Sequence, residues 1–331
     1  MPTRFPCADG SVDLIVTRPP QGQAGDERPM SDRLAHLWEV MHESWRVLAP
    51  HGVVCMALGD GRSAGRSLAG IPWRFALGCV NGEADPDGIG WVLVNDLIWH
   101  KEGTDTHEYV FVFAKNSEHY GDGYAAAEPY CSRPRRRLTA RVDRAARQAY
   151  GGANGGPALS DEVGVDWGNG MGRVPGDVLC APDSDDGLPT ALVEMLVKIF
   201  SPESVCLACN EPRRRVLGRA CKACGSFCRK QRTICPGCGH RRDRLAEGSA
   251  ATVTTWACGC EDTSAPTRPG RVLDPLAGSG PVPAVADSLG RVGLGGDPSG
   301  EGGSTGRREG PVAVRSATVE QATLWEEVTA C

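Results

Sequence analysis

Apolar residues first cluster at Val12-Asp-Leu-Ile-Val-Thr17, a short run that ends in Arg18-Pro-Pro20. A run of this length reads as a buried strand, and the prolines hold the chain extended as it enters a loop. Over residues 32–48 the apolar positions Leu34, Leu37, Val40, Met41, Trp45 and Leu48 recur at helical spacing, and Pro50-His-Gly52 predicts the stop. Residues 53–58 predict a second strand, turned by Gly59-Asp60-Gly61. A helix over Ile71–Val80 and strands over 91–99 and 109–114 follow. Further along, the pattern predicts a helix over 188–200, a strand over Arg271–Asp274, a helix over 282–289 and a strand over 291–294. Alternating strands and helices predict an α/β fold with a mostly parallel sheet and helices on both faces.

Two segments break this pattern. Residues 117–176 are rich in Gly, Ala and Arg with little periodicity, and 302–310 form a polar, Gly-rich linker. The chain has 331 residues, 40% of them hydrophobic, enough for one large α/β domain with an insertion or for two ordinary domains. No run has the length of a membrane span, and the opening Met1-Pro-Thr-Arg-Phe-Pro-Cys7 lacks a secretory signal pattern. Net charge is −5, so any contact with nucleic acid has to be made by local patches.

Fifteen cysteines change the picture more. Nine fall between Cys206 and Cys260. Paired thiols in a chain without a secretory signal point to metal rather than disulfides, and to a reducing, cytoplasmic compartment. Cys206-x-x-Cys209, Cys221-x-x-Cys224, Cys235-x-x-Cys238 and Cys258-x-Cys260 supply eight thiolates at zinc-ligand spacing, enough for two tetrahedral sites. We favour a nested arrangement, with Cys206, Cys209, Cys258 and Cys260 on one Zn2+ and Cys221, Cys224, Cys235 and Cys238 on the other. Sequential pairing is the alternative, and Cys228 and His240 are further candidate ligands. The block has 11 Lys or Arg against 3 Asp or Glu, a net of +8 that falls to about +4 with two four-thiolate ions bound. A second basic patch runs through Arg133, Arg135, Arg136, Arg137, Arg141, Arg144 and Arg147. Both patches suit phosphate contacts, although either can also be an ordinary solvated helix face.

Leu273-Asp-Pro-Leu-Ala-Gly-Ser-Gly280 places Gly278 and Gly280 where a strand hands over to a helix, with Asp274 and Pro275 before them and Ser279 between them. Glycine permits a sharp turn and a close approach to a ligand, and such a loop suits a nucleotide-like molecule. Asp297, at the tip of the next strand, is placed to accept hydrogen bonds from ribose hydroxyls.

Here the sequence resembles the amino-directed DNA methyltransferases, in the permuted order where the catalytic motif precedes the cofactor motif, and is most similar to phage and actinobacterial site-specific enzymes. The family's cofactor loop Asp-Pro-Phe-Ala-Gly-Ser-Gly is matched by Asp274 to Gly280 with Leu276 for Phe, and its catalytic strand and Pro-Pro loop by Asp13 to Gln21. The Arg-Val-Leu-x-Pro-x-Gly element corresponds to Arg46 to Gly52 and the Gly-Asp turn to Gly59-Asp60. Gly70-Ile-Pro-Trp-Arg74, Leu97-Ile-Trp-His-Lys101, His107-Glu-Tyr109 and Gly172 to Val178 match in family order. Departures fall at the working tip: Arg18 stands where the family has Asp or Ser, Gln21 where it has an aromatic ring, and Pro281 where it has Thr.

The resemblance implies a Rossmann-like S-adenosylmethionine-dependent methyltransferase sandwich carrying an inserted Cys-rich zinc-binding module. It assigns 1–116 to the catalytic half, 117–176 to a variable candidate target-recognition region, and 177–205 with 261–300 to the cofactor half. Residues 206–260 become the zinc-binding insertion and 301–331 a flexible tail. The implied activity is transfer of a methyl group from S-adenosyl-L-methionine to the exocyclic amine of adenine or cytosine in double-stranded DNA, as in restriction–modification. Cofactor residues are then Asp274, Pro275, Gly278, Ser279, Gly280 and Asp297, and the catalytic loop is Arg18, Pro19, Pro20 and Gln21. The alternative is a catalytically silent relative that keeps zinc and DNA binding, with Arg18 and Gln21 on a solvated loop. Gln321-Ala-Thr-Leu-Trp325 is similar to the short peptides that dock on bacterial sliding clamps; packing of Leu324 and Trp325 onto the chain's own domain is the competing reading.

Overall fold

The computed structural model describes residues 4–20, 29–61, 67–84, 87–127, 174–182, 187–220, 227–229, 252–260, 264–277 and 280–296. In chain order these form β1 (Val12–Thr17), α1 (Met30–Val47), β2 (Leu48–Leu58), α2 (Ile71–Val80), β3 (Val92–Lys101), β4 (His107–Ala114), a 3-10 turn (Gly123–Ala126), β5 (Val178–Ala181) and α3 (Thr190–Phe200). Then come β6 (Val205–Cys206), β7 (Arg214–Ala220), β8 (Phe227–Arg229), β9 (Thr252–Ala257), β10 (Thr267–Arg268), β11 (Arg271–Asp274), α4 (Val282–Ser288) and β12 (Val292–Gly295). Among the described residues no helix is long and apolar enough to cross a membrane.

Seven strands make one sheet in the order β12-β11-β1-β2-β4-β3-β5, parallel except for β4, which runs antiparallel to both neighbours. All six residues of β1 are buried, as its mostly apolar run predicts for a strand covered on both faces. Val12, Ile15 and Phe111 pack with α1 and α2 on one face. Leu14, Val16 and Trp99 pack with α3 and α4 on the other. Helix α1 approaches α2 so closely that a Cβ at Gly78 would lie 2.4 Å from the Trp38 ring, so only glycine fits at that crossing.

The connection from β11 through α4 to β12 moves one way across the sheet, while that from β1 through α1 to β2 moves the other way. With right-handed crossovers the two helices must lie on opposite faces, as they do. The strand order therefore reverses between β1 and β11, and a crevice opens above their carboxyl ends.

Helix α1 stops at Val47, and Leu48 is already extended (φ −73°, ψ 133°) as the first residue of β2. Pro50 therefore sits inside a strand instead of a loop. It is exposed and falls where pairing with β1 shifts register, from Val12 opposite Leu48 to Leu14 opposite Val53, so its missing N–H breaks no ladder. Strand β5 has four residues, three of them not fully buried at the sheet edge, too short a pattern to predict. The cysteine block holds β7, β8 and β9 as a separate antiparallel sheet where no strands were expected.

Candidate functional site

Pairing of Leu14 with Val272 and of Ile15 with Leu273 brings the ends of β1 and β11 side by side. Arg18-Pro19-Pro20 leaves one strand and Asp274-Pro275 the other. Asp274 is 5% exposed, and burial raises its carboxyl to about 6, offset in part by the adjacent Thr17 hydroxyl and the Leu276 N–H. Its turn closes through Gly296 N–H donating to Asp274 O, Ala277 N–H to Gly296 O and Gly280 N–H to Ala277 O. A Cβ on Gly280 would meet Ala277 O at 2.7 Å, and one on Gly293 would meet Pro283 O at 2.1 Å. The loop and the α4–β12 crossing thus both require glycine. Pro281 and Pro283 remove backbone donors from the start of α4, so this loop is poorly equipped for a phosphate. It suits a ligand that offers hydroxyl or cationic groups to a carboxylate. Gly278, Ser279 and Asp297 lie outside the described residues.

Arg18 is not solvated. Its Nε donates to Glu108 Oε2 (3.0 Å), Nη2 to Oε1 (2.7 Å) and Nη1 to Gly187 O (3.3 Å). Lys101 Nζ lies 2.9 Å from the same Glu108 Oε1, and both cations stand over the buried Trp99 ring at 5.4 and 5.2 Å. The two-pronged pairing holds the guanidinium on the α3 face of the sheet. On the α1 face a cavity of about 140 Å3 is lined by Pro19, Pro20, Leu37, Gly59, Asp60 and Ile71 among others. Pockets for drug-sized ligands span roughly 300–1,000 Å3, so this is room for one ring system. Asp60 is fixed there by accepting the Gly70 and Ile71 N–H groups at the start of α2. Gln21 lies outside the described residues.

The opposite end of the sheet carries thiols. Helix α3 begins beside Gly187 at the crevice and ends at Phe200, and β6 and β10 then pair below it. There the sulphurs of Cys206, Cys209, Cys258 and Cys260 all lie within 4.8 Å of one another. Cys206 and Cys260 are 3.7 Å apart and Cys258 and Cys260 3.2 Å. Tetrahedral zinc with Zn–S near 2.3 Å sets neighbouring sulphurs roughly 3.8 Å apart. Backbone N–H groups of Cys209 and Ala208 lower the Cys206 thiol to about 6, favouring thiolate, and Asn210 turns the chain at φ 56° just after the pair. Cys221, Cys224, Cys235 and Cys238 lie outside the described residues.

Comparison with known proteins bears on these features. No family model matches the chain. It is 27% identical over 167 residues to the Type II methyltransferase M.XycI of Xanthomonas campestris pv. cyanopsidis, covering 36% of this chain and 53% of that protein. It is 25% identical over 164 residues to the Type II methyltransferase M.SmaI of Serratia marcescens, covering 35% and 54%. Both relatives are methyltransferases. The chain spans about half the length of these curated relatives. Among solved structures it is similar to the PvuII DNA methyltransferase (cytosine-N4-specific), with TM-score 0.48 and 11% identity over 88% of this chain and 77% of that one.

The structure thus brings Arg18, Pro19 and Pro20 together with Asp274, Pro275 and Gly280, and gathers four of the eight paired cysteines. Three arginines of the basic block already have partners within the chain. Arg213 donates to Ala265 O, Arg214 to Glu118 O and His119 O, and Arg215 pairs with Asp122 under a 4.8 Å contact with Trp256. These three arginines fasten the insertion to the core. Sequence reasoning missed Glu108 as the holder of Arg18, because the two stand 90 residues apart. The Arg133–Arg147 patch lies outside the described residues.

Proposed function

We propose that the chain is a DNA methyltransferase of permuted motif order and phage or actinobacterial type, transferring a methyl group from S-adenosyl-L-methionine to an exocyclic amine of adenine or cytosine in double-stranded DNA. The observation that carries this reading is the β1–β11 pairing. It sets the Pro-Pro loop and the Asp-Pro-Leu-Ala-Gly-Ser-Gly loop, far apart in sequence, on the two lips of one switch-point crevice. The similarity to two Type II methyltransferases supports the same chemistry.

The residues present fit S-adenosylmethionine. Asp274, Pro275, Gly278, Ser279 and Gly280 would form its cradle, with a buried carboxylate facing a cationic ligand and no phosphate-binding helix start, and Asp297 would take its ribose. When bound, the cofactor supplies the electrophilic methyl group. The cavity under Pro19 and Pro20 takes the target base, which has to leave the duplex to reach it. The Pro19 carbonyl accepts one amine hydrogen and so localises the nitrogen lone pair. Arg18 has no acceptor to offer, and Glu108 holds its charge away from the cavity. That clamp favours one second reading, a relative that binds DNA and cofactor without transferring the methyl group.

Tritiated S-adenosylmethionine and mixed-sequence DNA separate the two. Transfer of label to DNA, lost in a folded Asp274→Ala variant, is the expected result, and cofactor affinity should fall as pH drops through about 6 and Asp274 is protonated. Cofactor binding without label transfer would leave only the second reading.

The four gathered cysteines would hold one Zn2+ and Cys221, Cys224, Cys235 and Cys238 a second, dividing the chain as set out above into a cytoplasmic enzyme with a zinc-bearing insertion. Gln321–Trp325 would dock on a bacterial sliding clamp. Leu324→Ala with Trp325→Ala should abolish clamp capture in a pull-down without moving the melting temperature, whereas a large fall in Tm would place these residues in the core.

A further inference from the structure

Helix α2 carries one charged residue, Arg74, in its ten positions. Its inner face, with Phe75, Ala76 and Cys79, is buried in the core, yet Trp73, Leu77 and Val80 on the outer stripe remain 39%, 57% and 40% exposed. A helix that is apolar on every side is one that something covers on every side. The same face continues onto the sheet. Trp73 meets Tyr109 edge-on at 5.6 Å, Tyr109 pairs with Ile98, and Ile98 pairs with Val178 of the edge strand β5, itself 61% exposed. Among the described residues, four of the nine large exposed hydrophobic side chains, Trp73, Leu77, Val80 and Val178, lie on this one face. Concentrated apolar exposure of this kind marks an interaction surface.

We propose that this face binds a second copy of the chain, α2 against α2 about a two-fold axis. Its exposed charges are Arg74 on the outer stripe and Asp96 on the side of β3 that its pairing partner Phe111 shares, with Glu83 and Asp87 at its margin in the segment after α2. An isologous interface makes each contact twice, so Arg74 of one copy meets Asp96 of the other on both sides of the axis while the apolar side chains meet their own kind. The face is complementary to itself. The Arg-rich stretch 133–147 would bring like charge to Arg74. Trp73 and Leu77 form the desolvated centre, the position where interface energy concentrates. This inference is independent of the methyl-transfer reading.

Sedimentation of the full zinc-loaded chain tests it. The wild type should sediment as a dimer and Leu77→Asp as a monomer with an unchanged circular dichroism spectrum. Arg74→Asp and Asp96→Arg should each weaken dimerisation at least about tenfold by opposing like charges, and the combined reversal should restore it. A wild-type monomer at every concentration, or no rescue in the double variant, overturns the proposal. So does a wild-type monomer whose residues 128–173 become protease-sensitive only in Leu77→Asp, which would assign the face to that segment.

Discussion

Asp13→Ala should lower stability by about 3–5 kcal/mol, the usual effect of removing one member of a buried ion pair, read as a shift in the urea midpoint. Asp13 is completely buried in the middle of the sheet, far from the crevice. His51 Nε2 lies 2.9 Å from its Oδ1, Arg268 reaches both oxygens at 2.6 and 3.1 Å, and the Arg271 N–H donates to Oδ2 at 2.8 Å. One carboxylate thus fastens β1 to the start of β2 and to the β10–β11 turn. The loss leaves a guanidinium, an imidazole and an amide without their acceptor. Asp13→Asn retains an acceptor and should cost less. Burial alone would raise the Asp13 carboxyl, but His51, Arg268 and the Arg271 amide outweigh it and hold it below the usual value. A carboxyl lowered by folding contributes stability that is present above its unfolded pKa and lost as pH falls through its folded one. The wild type should therefore lose stability in acid more steeply than Asp13→Asn, and parallel curves for the two would remove the network from the account.

The other large effect concerns metal. Purified protein should contain two zinc ions per chain, and Cys206→Ser with Cys258→Ser should leave one. Structural thiolate sites contribute their binding energy to folding, about 10–16 kcal/mol in small zinc peptides, so chelation should unfold the insertion. S-adenosylmethionine binding should survive, because the cluster and the crevice lie at opposite ends of the sheet. Elemental analysis returning less than one zinc per chain would rule out the nested arrangement, and loss of cofactor affinity on chelation would show that the two ends are coupled.

What could be read from the sequence followed from how local each signal is. Helix α2 was predicted at its observed bounds because its apolar spacing and the Gly70–Pro72 entry act within a few residues. The fully buried β1 announced itself by the apolar run Leu14-Ile-Val16 beside Val12. Pro50 misled because a proline that usually ends an element is tolerated at a register shift, which depends on a neighbouring strand. The partner of Arg18 was illegible for a related reason, since nothing near either residue marks a contact between side chains 90 positions apart. Cysteine spacing identified pairs but left open which pairs share an ion, because that depends on where the roots of the insertion meet. The internal partners of Arg213, Arg214 and Arg215 within the basic block could not be read, because charge is visible in sequence and its neighbours are not.

The pairing of β1 with β11 also has a consequence in time. Asp13 and Arg268 are separated by 255 positions, and one flank of β1 has no partner until β11 has been made. At roughly 5–20 residues per second that interval is on the order of tens of seconds. During synthesis β1, every residue of which is buried in the finished sheet, stands as an open edge, the geometry that invites pairing with other chains. Its protection in that window has to come from the ribosome's surroundings or from chaperones, since the part of the chain that will cover it does not yet exist.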